Sequence, residues 1–365
     1  MALNKIKKNF GFGCMRLKMD GDKVDYNEFN KMIDAFIAAG FNYFDTAHGY
    51  IDGKSETAIR DCLAARYNRE DFVLANKLSD WYFEKEEDVV PLFESQLKLC
   101  GVEYFDFYLF HCLTAKSYPK HKRCNTFEIV SRLKEQGKIK HIAMSFHDTA
   151  EVLDMILTEQ PCIEAVQLQI NYLDYDDPGV QSKACYDVAV KHGKKVIVME
   201  PVKGGALVNL PAKAAEVLNG LKGGSYASYA LRYAASYPEV FMVLSGMGDM
   251  NMMKDNISSF SPFVPLNEKE LKATDRVREI IRELRQISCT GCNYCAEVCP
   301  NKIPISELFS VRNKFLLAKL SSGQAKEEFP KDKPTAADCI KCGKCEQVCP
   351  QNISIREQLE AISKM

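Results

Sequence analysis

The sequence has no excess of either charge. Its 48 lysines and arginines stand against 49 aspartates and glutamates, a net charge of −1, so nothing in the balance marks a nucleic-acid or acidic-membrane binder. No apolar run is long enough to span a bilayer, and Met1-Ala2-Leu3-Asn4-Lys5-Ile6-Lys7-Lys8 lacks the apolar stretch of a signal peptide. The expectation is a cytoplasmic chain with neither nucleic-acid nor membrane partner. A complete Gly-x-Gly-x-x-Gly is also missing: Gly11-x-Gly13 is followed by Arg16 where the third glycine belongs, which weakens the case for an open dinucleotide-binding sheet. The cysteines at 14, 62, 100, 112, 124, 162 and 185 show no pairing rhythm and read as buried or free thiols rather than disulfides.

What the chain does have is alternation. Short β-branched or aromatic runs are followed by longer stretches of helical period, the pattern of parallel strands joined by crossover helices. Eight runs qualify: Asn9–Met15, Asn42–Thr46, Phe72–Lys77, Asp106–His111, Ile139–Ser145, Ala165–Ile170, Lys195–Glu200 and Val240–Ser245. Helical stretches such as Tyr26–Ala39 and Thr126–Gln136 separate them, with Gly40, Gly101, Gly137 and Gly193 at helix ends. Eight units in residues 1–265 fit a (β/α)8 TIM barrel better than a doubly wound sheet. A charged helical linker over 266–286 and a ferredoxin-like domain over 287–365 would follow.

Cys289-x-x-Cys292-x-x-Cys295-x-x-x-Cys299-Pro300 is repeated with identical spacing as Cys339-x-x-Cys342-x-x-Cys345-x-x-x-Cys349-Pro350. Zinc favours two separated knuckles, whereas this run is that of bacterial ferredoxins, whose fourth cysteine serves the other cluster. Two 4Fe-4S clusters are expected, one on Cys289, Cys292, Cys295 and Cys349, the other on Cys339, Cys342, Cys345 and Cys299. Ser306–Leu320, between the halves, reads as an inserted amphipathic helix with an apolar face for docking on the barrel.

Chemistry in such a barrel sits beyond the C-terminal ends of the strands. There the second strand runs into Asp45-Thr46-Ala47-His48-Gly49-Tyr50, the third into Asn76-Lys77 and the fourth into His111. Singly, each has an ordinary reading: a structural ion pair, a core histidine, one tyrosine among 16. Together they form a relay. A phenol of pKa about 10 is a poor acid or base at neutral pH; a lysine ammonium beside it favours tyrosinate, and a carboxylate fixes the lysine. A hydride reaching a carbonyl carbon leaves charge on the oxygen, which Tyr50 could protonate while His111 donates or orients a second hydrogen bond.

With this set in this order, the chain resembles the aldo-keto reductase superfamily over about residues 5–260, and the tail resembles its branch fused to a ferredoxin-like domain. The resemblance extends to Ser55-Glu56, Gln167, Ala230-Leu231-Arg232-Tyr233, Gly246 and Asp255-Asn256. It implies a NAD(P)-dependent oxidoreductase interconverting a small carbonyl and an alcohol, with catalytic Tyr50, Lys77, Asp45 and His111. Ser145 and Gln167 would hold the nicotinamide carboxamide, and Gly204, Gly205, Gly246 and Asn256 the rest of the nucleotide. Phe146 and Met199 depart from the family pattern, as do Gly246 and Met252 where NADPH-preferring relatives carry cations. With Lys254 as the only nearby cation, NADH or loose nucleotide binding is favoured over NADPH. The alternatives are an electron-transfer protein linking one-electron donors, including a redox protein partner, to the nicotinamide or substrate, and clusters that serve only as staples. The basic run Lys116, Lys120, His121, Lys122 and Arg123 reads as a solvated loop more readily than as an anion funnel. Trp81-Tyr82-Phe83 suits either a pocket wall or a contact with the tail.

Overall fold

A computed structural model describes residues 5–284, 286–318 and 328–365. These residues divide into two compact units, one of residues 5–177, 181–201 and 227–266, the other of residues 178–180, 202–226 and the described part of 267–365.

The first unit is a closed parallel barrel. Its strands are β1 (Phe10–Gly13), β4 (Tyr43–Asp45), β5 (Val73–Ser79), β6 (Phe105–Leu113), β7 (Ile139–Phe146), β8 (Ala165–Gln169), β9 (Lys195–Met199) and β10 (Val240–Gly246), with β1 closing on both β4 and β10. All eight expected strands are present, and the open-sheet alternative is excluded by closure. The short hairpin of β2 (Met19–Asp20) and β3 (Lys23–Val24) was not foreseen. The glycines expected at helix ends, Gly40, Gly101, Gly137 and Gly193, have φ of 83°, 67°, 79° and 65°, the left-handed values a helix stop requires.

Side chains alternate along a strand, so every second residue faces the barrel interior. There Tyr43, Val73, Ala75, Phe107, Leu109, Ala143, Ala165, Ile197, Met242 and Leu244 make one buried cluster. Large and small residues share the space. A Cβ on Gly11 would stand 2.9 Å from Tyr43 Cδ1 and 2.7 Å from Leu244 Cδ2, so only glycine leaves room for that tyrosine. Extending the same columns towards the strands' C-terminal ends brings Asp45, Lys77, His111, Ser145, Gln167 and Met199 to one rim.

The second unit contains both cysteine runs, and the repeat reaches into its backbone. Gly291 and Lys341, two residues after the first cysteine of each run, have φ of 71° and 56°. Asn293 and Gly343 follow at 67° and 76°, and Lys302 and Asn352 at 50° each. The turn after each fourth cysteine is also shared: Lys302 N donates to Cys299 O and Asn352 N to Cys349 O. The halves enclose Ile303, Ile305, Leu308, Phe309, Ile355, Leu359 and Ile362.

The inserted helix spans Ile305–Ala318, so Lys319 and Leu320 of the expected stretch lie outside the described residues. Its Leu308 and Phe309 are buried in this core. The charged helix begins at Glu268 with an Asn267–Glu270 capping box and ends at Glu283; Arg285, within the expected linker, lies outside the described residues. Its buried Ala273, Val277, Ile280 and Ile281 form one stripe, and it packs on the helix Ala212–Asn219.

Candidate active site and cysteine centre

Lys77 is the hub of the barrel rim. Its side chain is fully buried, and Nζ donates to Asp45 Oδ1 at 2.5 Å and to the Thr46 carbonyl at 2.8 Å. It also lies 4.6 Å from the centre of the Tyr50 ring. Burial works to lower the Lys77 pKa, but the Asp45 carboxylate and the Tyr50 phenol carry it up to about 12. Burial raises the Asp45 carboxyl while Lys77 pulls it back, and Gln167 Nε2 donates to Asp45 Oδ2 at 3.4 Å.

The phenol behaves differently from the expectation. Burial lifts Tyr50 to about 12, and the ammonium of Lys77, although it opposes the rise, does not win. Tyr50 therefore keeps its proton at neutral pH. His111 packs edge-on against it, with ring centres 6.0 Å apart. Burial, aided by the charge of Lys77 and by His147, holds His111 well below the usual histidine range, so the imidazole is neutral. Its Nδ1 is 2.6 Å from Ser79 Oγ. Trp81 stands 5.2 Å from the same imidazole, on the wall of the site.

A second layer braces these groups. Glu56 Oε2 is 2.7 Å from His48 Nδ1, and Glu56 Oε1 accepts from Asn76 Nδ2 at 2.8 Å. Gln96 Nε2 donates to the Lys77 carbonyl, and Tyr108 to Gln96 Oε1. Ser55 Oγ donates to the Cys14 carbonyl and lies 2.7 Å from Thr46 Oγ1. Gly49 passes so close to Tyr82 that a Cβ would stand 2.5 Å from its hydroxyl oxygen.

The expected nucleotide residues are more dispersed. Ser145 Oγ accepts from Cys112 N at 2.8 Å, a bond made at a left-handed residue (φ 52°) within a register shift of β6. Asn256 Nδ2 donates to Ser245 Oγ at 3.0 Å, next to Gly246. Arg16, read in the sequence only as a missing glycine, has its side chain 3.5 Å from where a Gly246 Cβ would be, and pairs with Glu200 at 3.2 Å. Lys254 is therefore not the only cation near this loop. The signal was absent because 230 residues separate the two positions.

The helix after β10, Met250–Ser259, begins with its amides already engaged. Met250 N donates to Glu28 Oε1, and Asn251 N and Met252 N to Asp249 Oδ1. Gly204 and Gly205 lie in the second unit, where Gly204 meets the backbone of Thr290. Within the basic run beyond β6, Lys120 pairs with Glu84, Lys122 pairs with Glu159, and His121 is buried beside Thr126.

In the second unit, burial first, then the thiols of Cys292, Cys289, Cys349 and Cys345, push the Cys295 thiol up. Burial, followed by Glu346, lifts Cys345 to about 11. Crowded thiols with no disulfide among them are a donor set for soft metal. Among the described residues no three His, Cys, Asp or Glu side chains are close enough to share one ion. A cubane has iron at four corners and takes its thiolates from further apart. Cys295 stands among Cys292, Cys289, Cys349 and Cys345, thiols of both runs, the donor type that 4Fe-4S clusters take.

The comparisons agree with both halves. Residues 9–279 match the model of the Aldo/keto reductase family, and residues 288–354 that of the 4Fe-4S dicluster domain. The chain is 23% identical over 296 residues to the uncharacterized oxidoreductase YqkF of Bacillus subtilis, covering 72% of this chain and 90% of that one. It is 24% identical over 320 residues to the aldo-keto reductase str7 of Strobilurus tenacellus, covering 75% and 90%. Among solved structures, the holo form of aldo-keto reductase AKR11C1 from Bacillus halodurans superposes with a TM-score of 0.62 at 22% identity, covering 74% of this chain and 91% of that one. An aldo/keto reductase from Klebsiella pneumoniae, in complex with NADP and acetate, gives 0.61 at 18% identity, covering 74% and 91%. With a closed eightfold barrel, a family match over most of its length and a cysteine-bearing tail matching its own model, the chain belongs to the aldo/keto reductase family and is an oxidoreductase with a 4Fe-4S dicluster domain.

Proposed function

We propose that the barrel reduces a small carbonyl compound to an alcohol with NADH, and that Tyr50, Lys77, Asp45 and His111 carry the proton chemistry. The observation that carries this reading is the buried Lys77, held between Asp45 and the Tyr50 ring. A nicotinamide bound here would supply the hydride. The residues supply the rest. Tyr50, protonated well above neutral pH, gives its proton to the oxygen as negative charge grows there, and Lys77 stabilises the phenolate left behind. His111, neutral, offers a hydrogen bond without adding charge.

Ser145, Gln167, Gly246 and Asn256, with Gly204 and Gly205, would hold the nucleotide. NADH is favoured over NADPH because the amides of the helix after β10 are already taken by the carboxylates of Glu28 and Asp249, which repel a further phosphate. Cys289, Cys292, Cys295 and Cys349, and Cys339, Cys342, Cys345 and Cys299, would hold two 4Fe-4S clusters, which supply one-electron chemistry when bound.

An anaerobic screen of aldehydes and ketones with NADH tests the reading. On the substrate so found, Tyr50→Phe should reduce kcat at least about a hundredfold while nucleotide affinity is kept. Turnover at the original rate would remove Tyr50 from the chemistry.

A further inference from the structure

The loop that follows β9 is built against the cysteine centre. Lys203 has a left-handed backbone (φ 47°) and is only 3% exposed, and its Nζ donates to Gln351 Oε1 at 3.4 Å. At Gly204 a Cβ would stand 2.3 Å from the Thr290 carbonyl oxygen and 2.8 Å from Thr290 Cα, so the two backbones lie face to face. Nearby, Asn352 Nδ2 donates to the Gly179 carbonyl at 3.3 Å. All these residues belong to the second unit. Thr290 directly follows Cys289, while Gln351 and Asn352 come just after Cys349. Cys289 and Cys349 are far apart in sequence, yet Thr290, next to the first, and Gln351, two residues after the second, both meet the Lys203-Gly204 pair. In the interleaved ligand scheme the two cysteines serve one cluster.

We propose that Lys203-Gly204-Gly205 is an electrostatic joint through which a bound nucleotide diphosphate sets the reduction potential of one cluster, that of Cys289, Cys292, Cys295 and Cys349. The inference rests on the reading that Gly204 and Gly205 hold the diphosphate. A cluster's potential depends on the net charge around it and on its access to solvent. Reduction adds one electron from an external donor and makes or breaks no bond. A buried ammonium beside the ligand loop favours the reduced state. A diphosphate on the same loop brings negative charge, draws on that ammonium and disfavours the added electron. The coupling is reciprocal, so the oxidised protein holds the diphosphate more tightly by the same factor, and reduction promotes release.

ADP-ribose is the probe, because it carries the diphosphate and has no nicotinamide to be reduced. The full-length holoprotein is titrated anaerobically with dithionite and mediators, the two clusters being followed by electron paramagnetic resonance, while calorimetry measures ADP-ribose binding to the oxidised protein. The expected result is about tenfold weaker ADP-ribose binding on reduction, read as a downward shift of about 59 mV in one cluster while the other stays in place. Lys203→Met should lower the potential of that same cluster without ligand and remove most of the shift, and Lys203→Arg should retain both. If ADP-ribose binds and neither potential moves, or both move equally, the joint is refuted and the nucleotide reading of the loop survives. If ADP-ribose does not bind the wild-type protein, the nucleotide reading falls and the joint with it.

Discussion

Lys77 Nζ and Asp45 Oδ1 lie 2.5 Å apart with both side chains withdrawn from water, the lysine completely. Such a pair contributes little over a well-packed apolar substitute, yet losing one partner strands the other as a bare buried charge. Asp45→Asn should therefore cost about 3–5 kcal/mol in denaturant unfolding of the barrel, far more than the loss of an exposed ion pair such as Lys364–Glu360. A cost below about 1 kcal/mol would mean that water reaches the pair.

Gly11→Ala should act on packing alone. The added methyl would meet Leu244, Met242 and Tyr43 side chains at 2.7, 2.9 and 2.9 Å inside the barrel. A destabilisation of about 1–3 kcal/mol is expected, seen as a lower denaturation midpoint at unchanged slope. Gly137→Ala serves as a control for backbone strain, since its φ of 79° disfavours alanine but its Cβ would meet nothing.

Acid should loosen the barrel through its buried histidines. Burial holds His111 well below 6.5 and His121 at about 3, so both stay neutral in the folded chain while the unfolded chain takes up protons below about 6.5. The unfolded state then binds more protons, and stability falls with falling pH. Between about pH 6 and pH 5 these two, together with His147, which burial holds at about 4, should remove about 4 kcal/mol per pH unit. Near-ultraviolet circular dichroism during urea titrations at several pH values would measure this slope. His121→Gln should lower it by about a third, and an unchanged slope would assign the acid sensitivity elsewhere.

The nucleotide preference is open to the same kind of arithmetic. Glu28 and Asp249 place carboxylates at the start of the helix after β10, and removing both charges with Glu28→Gln and Asp249→Asn should narrow the gap between NADH and NADPH by about 1–2 kcal/mol, roughly fivefold to thirtyfold in Kd. Fluorescence titration with both nucleotides reads the ratio. Tighter NADPH binding by the unaltered protein would overturn the assignment.

Much of this was legible because each barrel strand is a short β-branched or aromatic run and period-two alternation then dictates where its last residue faces. The rim set of Asp45, Lys77 and His111 follows from that rule. Missing from the sequence was whatever depends on distant neighbours. Arg16 beside Gly246, the backbone of Thr290 against Gly204, and Cys112 bonding Ser145 join residues whose separation in the chain carries no local pattern. The net rise of the Tyr50 pKa, against the pull of Lys77 that the motif implies, was hidden for a related reason. A lysine next to a phenol can be inferred from a motif, but the depth of burial that outweighs it is a property of the assembled barrel. The hairpin of β2 and β3 escaped because two residues per strand are too few to show alternation.

The columns inside the barrel make the site a matter of parity. Val73, Ala75 and Lys77 share one face of β5 because their numbers differ by even steps, as do Tyr43 and Asp45, and Phe107, Leu109 and His111. A single residue inserted or deleted within β5 upstream of Lys77 would swap its inward and outward sets, turning the ammonium out of the site without altering any catalytic residue. Insertions in the loops between strands would leave that arithmetic untouched. The strands are therefore where this chain tolerates no change of length, and the loops are where its substrate range is free to diverge.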